Sequence, residues 1–298
     1  MLAIGLTLFC WFAVLFFFGA SAWKFKEYAD KPMHGRQDLY PVPGERPDRA
    51  EYGGSYYEEQ RWFEKEHHKN HVGEIKDMLI EIFFIKKLFT HQRKLWWMSY
   101  SLHLGIYFVF AAIAIAFATV LLPFTGILAS LLGFAVMACG SIGGLLVVVG
   151  TCALLYKRIT DHEFRNYTTP QEYFNLGFLC LGAITGLLAF ITNGFSFGFV
   201  KKIVWNMLHL KPMKGLNKPA ILHLLVFGAL IIYIPVTKMS HYVGKYFAFH
   251  KVLWDNAPNL RGSKVESTIE DEASIKPSAD MQWSAPHYHP APEKTEEK

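Results

Sequence analysis

The stretch PAILHLLVFGALIIYIPVTKMSHYVGK, residues Pro219–Lys245, decides how the rest of the chain is interpreted. It is an apolar run of helical character with two histidines, His223 and His241, eighteen residues apart. Eighteen residues make five whole helical turns, so a single helix would present both imidazoles on one face. At about 1.5 Å of rise per residue they would lie roughly 27 Å apart, close to the ~30 Å hydrocarbon core of a bilayer. The spacing predicts one histidine near each membrane surface.

Ionisable side chains inside membrane-spanning segments are rare and usually functional. Neutral imidazole is a good iron ligand, so the spacing favours axial ligation of two stacked haems. Two histidines can also share a helix face by chance, as hydrogen-bonded or solvated residues near the helix ends. Partner ligands on another helix are needed to decide between these interpretations.

Five apolar blocks are long enough to cross a bilayer. They are Leu2–Trp23, Leu95–Leu122, Phe124–Tyr156, Tyr173–Thr192 and Ala220–Tyr242. We therefore predict an all-α integral membrane protein with five transmembrane helices and interfacial amphipathic helices. Its predicted parts are an N-terminal anchor (1–30), a cytoplasmic insertion (31–94), a four-helix haem-binding membrane core (95–245) and a cytoplasmic tail (246–298).

The distribution of basic residues predicts the orientation. Of the 30 Lys and Arg residues, 25 would share one side of the membrane and five, from Lys201 to Lys218, would lie on the other. This excess predicts an inner-membrane protein with its N-terminus outside and its C-terminus in the cytoplasm. The net charge of +5 comes from residues around the helix ends and gives no indication of nucleic-acid binding. The four cysteines lie in apolar spans without C-x-x-C spacing, so this chain is not predicted to ligate an iron–sulfur cluster.

Segments outside the spans carry weaker signals. Residues Glu74–Phe89 have an apolar side and predict an amphipathic helix in the inner interface, against lipid or a soluble partner. A second surface helix is predicted around residues 199–208, and a short helix around Tyr56–His68. The HHKNH run at residues 67–71 lacks a carboxylate or cysteine at ligand spacing, which favours solvated histidines over a metal site. The tail to Lys298 is predicted to be disordered, or ordered only on a partner.

Three segments resemble the membrane cytochrome b subunit of respiratory nitrate reductase, its gamma subunit. They are RKLWWMSYSLHLGIYF in the second span, GTCALLYKRITDHEFRNYTTPQEY between the third and fourth, and LHLLVFGALIIYIPVTKMSHYV in the fifth. The resemblance implies axial ligation of b-type haem by His241 with His103 near the inner face, and by His223 near the outer face. The fourth ligand would lie ten residues beyond His103, where this chain has Ile113.

The departure at Ile113 leaves three arrangements open. The outer haem is missing, or His209 supplies its second ligand from the outer loop, or His91 pairs with His241 and His103 with His223. The resemblance thus implies one or two haems b.

The resemblance also implies a function: electron transfer between a membrane quinone or quinol and the iron–sulfur chain of a partner. The long insertion and the HKVLWDNAPNLRGS ending look like the branch found in heterodisulfide reductase-type complexes of sulfur metabolism. That branch implies a cytoplasmic iron–sulfur partner subunit and further subunits of a complex. A haem-free anchor that docks a soluble redox enzyme is the alternative, and a transporter is disfavoured because no carboxylate lies within a span.

Further candidate residues follow from the same resemblance. Arg158 and Arg165 could neutralise haem propionates, although basic residues at inner helix ends are common. The family's quinone site lies by the outer haem, which makes His223, Trp205, Lys201 and Lys202 candidates for it. Contact with lipid headgroups is the commoner role of such lysines.

Overall fold

The structure is a computed structural model that describes residues 2–30, 40–66, 70–255, 260–263, 266–267 and 271. The helices in these residues are α1 Leu2–Asp30, α2 Pro47–Glu51, α3 His71–Phe84, α4 Lys86–His91, α5 Arg93–Leu121, α6 Gly126–Thr160, α7 His162–Asn166, α8 Pro170–Thr192, α9 Phe197–Leu208, α10 Lys218–Tyr233 and α11 His241–Phe247. A π-helical turn follows at Ala248–Leu253. No described residue lies in a strand, and the predicted all-α class is confirmed.

Five helices are long and apolar enough to cross a membrane, as predicted. The spans are Ala3–Asp30, Arg93–Leu121, Gly126–Thr160, Pro170–Thr192 and Lys218–Val236. Many large apolar side chains on them are exposed, which suits a surface covered by lipid. The chain is therefore a multi-pass membrane protein. We call the end of the bundle where α1 and α6 end and α5 and α8 begin the basic end.

Glycines bring α5 and α6 into close contact. A β-carbon added at Gly150 would lie 2.5 Å from the backbone nitrogen of Leu102, and one at Gly143 would lie 2.8 Å from the carbonyl oxygen of Gly105. No side chain fits at either position without moving a backbone. The glycines of the third span therefore serve helix–helix packing.

The fifth span is not one continuous helix, and this part of the sequence interpretation is wrong. Helix α10 ends at Tyr233, a 3-10 turn follows at Ile234–Val236, and Thr237 is extended (φ −125°, ψ −178°). A second 3-10 turn, Lys238–Ser240, leads into α11. Pro235 lacks an N–H and its ring clashes with the preceding turn, so a regular helix does not pass through it. His223 and His241 therefore lie on separate helices.

The segments before the second span also differ from prediction in their continuity. Two 3-10 turns, Tyr56–Glu58 and Trp62–Glu64, replace the expected short helix around Tyr56–His68, of which residues 67–69 lie outside the described part. The expected helix Glu74–Phe89 is divided into α3 and α4 by Ile85, which is left-handed (φ 51°). The second surface helix is found as α9, with Val204 and Met207 buried. Most of the predicted tail, including residues 272–298, is outside the described part.

Apolar residues of α3 face outward. Val72, Ile75, Leu79 and Phe83 are 43–79% exposed, whereas Glu81 on the same helix is 5% exposed. This helix therefore turns Glu81 to the protein and much of its apolar surface to the surroundings, the distribution expected at a membrane interface.

Candidate haem site

His103 on α5 and His241 at the start of α11 face each other. Their ring centroids are 6.1 Å apart, with the ring planes inclined at 65°. With metal–nitrogen bonds of about 2 Å and each ring centre about 1 Å behind its nitrogen, two imidazoles on opposite sides of one metal ion have centroids about 6 Å apart. His103 is half-buried and His241 is exposed, so the pair lies at an open face of the bundle. The separation fits axial ligation of one iron.

The backbone sets the orientation of both rings. Nδ1 of His103 lies 2.7 Å from the carbonyl oxygen of Ser99, and Nδ1 of His241 lies 3.4 Å from that of Lys238. A carbonyl only accepts, so Nδ1 carries the proton and Nε2 keeps the lone pair that a metal needs. Metal-binding histidines are commonly held in this way. The residues present therefore fit a haem held by two imidazoles.

Helix α1 stabilises the turn before His241. The ammonium of Lys24 donates to Ser240 Oγ at 2.9 Å and to the carbonyl oxygen of Pro235 at 3.3 Å. Thr237 caps the same turn, because its hydroxyl accepts from the N–H of Met239. These contacts give polar groups of the interrupted segment partners outside a regular helix.

Helix α3 contacts both histidine-bearing helices. The carboxylate of Glu81 accepts from Lys245 Nζ at 2.9 Å, and Lys245 is one helical turn after His241. The hydroxyl of Tyr107, one turn after His103, donates to the carbonyl oxygen of Ile82. We call Glu81 and Ile82 the α3 bridge.

One protein-family model matches this chain over the region that contains both histidines. The model of the nitrate reductase gamma subunit matches residues 87–253, more than half of the 298-residue chain. The chain belongs to the nitrate reductase gamma subunit family. Members of this family are membrane b-type cytochrome subunits that transfer electrons within multi-subunit complexes. Comparison with curated proteins and with solved structures gave no match.

The remaining family-implied ligand, His223, faces α8. Its Nδ1 lies 3.3 Å from Thr185 Oγ1, and a β-carbon added at Gly186 would lie 3.0 Å from its Cε1 and 3.4 Å from its Nε2. The ring therefore lies against the α8 backbone and also contacts Phe227, at 5.4 Å between centroids. Ligation by His223 stays a prediction, since its contact with Thr185 involves Nδ1 and not Nε2.

The two candidates for a fourth ligand lie elsewhere. His209, at the end of α9, is exposed and stacks on Trp205 at 3.8 Å, with its Nδ1 2.9 Å from the Trp205 carbonyl oxygen. His91 is an exposed residue at the end of α4. The structure thus brings His103 and His241 together, and it places the other candidate histidines in separate surroundings.

The other candidates occupy two regions. Lys201, Lys202 and Trp205 are exposed on α9, at the end of the bundle opposite the basic end. Arg158 donates to Thr168 Oγ1 at 3.0 Å and lies 3.7 Å from a carboxylate oxygen of Glu172, so it holds the α6–α8 connection; the nearby Arg165 is exposed.

A cavity of about 140 Å³ lies at the basic end between α3, α4 and the π-helical turn. It is lined by Tyr40, Asp77, Glu81, Lys86, Lys87, Thr90, His91, Phe249 and Trp254. Burial lowers the pKa of Lys87, and burial together with the Glu81 and Asp77 carboxylates raises the pKa of Tyr40. The indole Nε1 of Trp254 is buried without a hydrogen-bond acceptor in the described residues.

Sequence reasoning missed the residues that hold the histidine pair. Lys24, Glu81, Tyr107 and Lys245 are separated along the chain, and their contacts depend on the fold. One signal was available: Tyr107 and Lys245 each follow a candidate ligand histidine by four residues and therefore share its helix face.

Proposed function

We propose that this chain is a b-type cytochrome subunit that binds haem b between His103 and His241. The observation that supports the proposal is their 6.1 Å separation, with each Nδ1 directed to a backbone carbonyl. Both residues lie within the matched region 87–253.

Haem b, when bound, accepts and releases single electrons. His103 would ligate the iron from α5 and His241 from α11, each through Nε2. Because the carbonyls of Ser99 and Lys238 fix the rings, little reorientation would accompany a change of iron charge. Lys24 and Lys245 add positive charge at this end of the bundle, where anionic propionates would be favoured; the same role for Arg158 and Arg165 stays a prediction.

We further propose one haem per chain. Iron at a second site would need two imidazoles on opposite sides of the ring, and Ile113 stands where the family resemblance implies the second one. His209, the candidate partner of His223, is stacked on Trp205.

The proposed electron path links a membrane quinone or quinol to a partner's iron–sulfur chain. A quinol releases two electrons and two protons, and a one-electron carrier takes the two electrons singly. We propose a cytoplasmic partner of the heterodisulfide reductase type within a larger complex. His223, Trp205, Lys201 and Lys202 stay the predicted quinone-site residues. Three further points stay predictions: the inner-membrane location, the position of the N-terminus outside, and the division of the chain into four parts.

The test is haem content in single-histidine variants. His103→Ala and His241→Ala should each abolish the b-type reduced-minus-oxidised band of the purified protein and reduce haem per chain to near zero. His209→Ala is the matched control, since its imidazole is exposed on α9. Haem should be measured as the pyridine haemochrome, with about one per wild-type chain expected.

Two results would contradict this assignment. Retention of haem and an unchanged spectrum in His103→Ala or His241→Ala would remove those residues from the site. A wild-type protein without haem would support the alternative, a haem-free anchor for a soluble redox enzyme.

A further inference from the structure

The α3 bridge joins the two ligand helices at adjacent residues. Glu81 contacts α11 through Lys245, and Ile82 contacts α5 through the hydroxyl of Tyr107. The indole of Trp96 on α5 donates to the carbonyl oxygen of Phe84 at 2.7 Å and adds a third contact at the end of α3. The end of α3 therefore contacts both α5, which bears His103, and α11, which bears His241.

Helix α11 depends on such contacts because it is short. It has seven residues, continues into the six-residue π-helical turn, and follows two 3-10 turns, so helix α10 does not align it. Isolated helices of this length are at best marginally stable in water. Lys24 holds the turn before His241, and the Glu81–Lys245 pair holds the helix one turn after it. The position of His241 relative to His103 is set from both sides.

The Glu81–Lys245 pair is poorly explained as a general source of stability. The Glu81 side chain is 6% exposed and that of Lys245 is 34% exposed. Buried ion pairs seldom stabilise a fold more than apolar residues of the same size would, because both charges must leave water. Glu81 also accepts from the N–H of Lys87 at 2.9 Å, which ties the start of α4 to the same carboxylate. A geometric and electrostatic role accounts better for a buried carboxylate here.

We propose that Glu81 is a positioning residue for the iron ligands. Through Lys245 it fixes the approach of His241 to His103, and its charge balances an ammonium one turn from His241. Glu81 and Ile82 precede the family-matched residues 87–253, so this device belongs to the chain's own insertion. The inference rests on the proposed binding of haem b by His103 and His241.

The experiment compares three single variants in the full-length protein. Glu81→Gln leaves the Lys245 ammonium unbalanced, which disfavours the ferric iron and should raise the midpoint potential. Lys245→Gln leaves the Glu81 carboxylate without its counter-charge and should lower the midpoint potential. Both variants should alter the low-spin electron paramagnetic resonance signal and release haem about tenfold faster, as is typical for residues that support metal ligands.

Glu45→Gln is the matched control. Glu45 forms a similarly buried pair with Arg49, with side chains 5% and 12% exposed, and among the described residues its carboxylate accepts from Arg46, Arg49 and Tyr56 and not from the ligand-bearing helices. It should destabilise the insertion without changing the potential or the resonance signal. Potential shifts of opposite sign in Glu81→Gln and Lys245→Gln report the electrostatic part of the role. An altered resonance signal in both of these variants, but not in Glu45→Gln, reports the positioning part and separates it from general destabilisation.

The outcomes distinguish this inference from the proposed function. Haem held by His103 and His241, with potentials and spectra of both variants equal to those of the wild type, overturns the role of Glu81 alone. A haem-free wild-type protein overturns both. If Glu81→Gln does not fold, Lys245→Gln decides, because its side chain is partly exposed and a wild-type potential there also overturns the role of Glu81.

Discussion

Gly150→Ala should weaken haem binding by displacing α5. The new methyl carbon would lie 2.5 Å from the nitrogen and 2.8 Å from the Cα of Leu102, which is adjacent to His103. Ordinary contact begins near 3.5 Å, so α5 must move by about 1 Å. Overpacking of this kind costs about 1–3 kcal/mol. Metal–ligand distances tolerate only about 0.2 Å, so a 1 Å movement of His103 is incompatible with unchanged ligation.

The assay is haem per chain and thermal unfolding in detergent. A loss of 1–3 kcal/mol of ligation energy corresponds to about 5- to 150-fold weaker haem binding, since about 1.4 kcal/mol is tenfold. Gly177→Ala is the control, because a β-carbon there would meet nothing within 4 Å. That variant should retain haem and gain about 0.5–1 kcal/mol from helix propensity. Wild-type haem content and spectrum in Gly150→Ala would refute the argument that α5–α6 packing sets the position of His103.

Three further outcomes are expected. Lys24→Met removes the charged hydrogen bond to Ser240, which is worth about 1.5–3 kcal/mol, and should accelerate haem loss on dilution into detergent. An unchanged rate of haem loss would show that the turn before His241 keeps its conformation without Lys24. Tyr107→Phe leaves the Ile82 carbonyl without its donor and should lower the free energy of unfolding of the haem-loaded protein by about 1–3 kcal/mol in thermal unfolding. An unchanged free energy of unfolding would show that this hydrogen bond does not hold α3 on α5. Removal of the exposed imidazole of His91 by His91→Ala should leave haem per chain unchanged by pyridine haemochrome, and a loss would point to ligation by His91.

The spans were predictable because each is a long apolar run, and no other regular structure satisfies its own backbone in lipid. The starts of α8 and α10 are also indicated by the sequence. Pro170 and Pro219 stand in the first turns, and Asn217 accepts from the N–H of Ala220 as a helix cap. The break in the fifth span should have been predicted as well. Pro235 lies between the histidines, and five turns of regular helix cannot be counted through it.

The histidine pair was predictable only in part. The family resemblance paired His103 with His241, and their meeting in space supports that pairing. The surroundings of His223 were not predictable, because they depend on which face α10 turns to Gly186 and Thr185. The α3 bridge was hidden for a similar reason: Glu81 belongs to an amphipathic helix that buries this carboxylate and leaves large apolar side chains exposed.

The interruption at Pro235 means that regular helix geometry does not relate the two halves of the fifth span. His223 lies on α10, whereas His241 lies on α11 and is held by contacts from Lys24 and from α3. We expect substitutions in the insertion to affect the His103–His241 pair more than substitutions on the far half of α10, because Glu81 contacts α11 one turn from His241. The redox properties of that pair would then be open to adjustment from outside the membrane-buried part of the span.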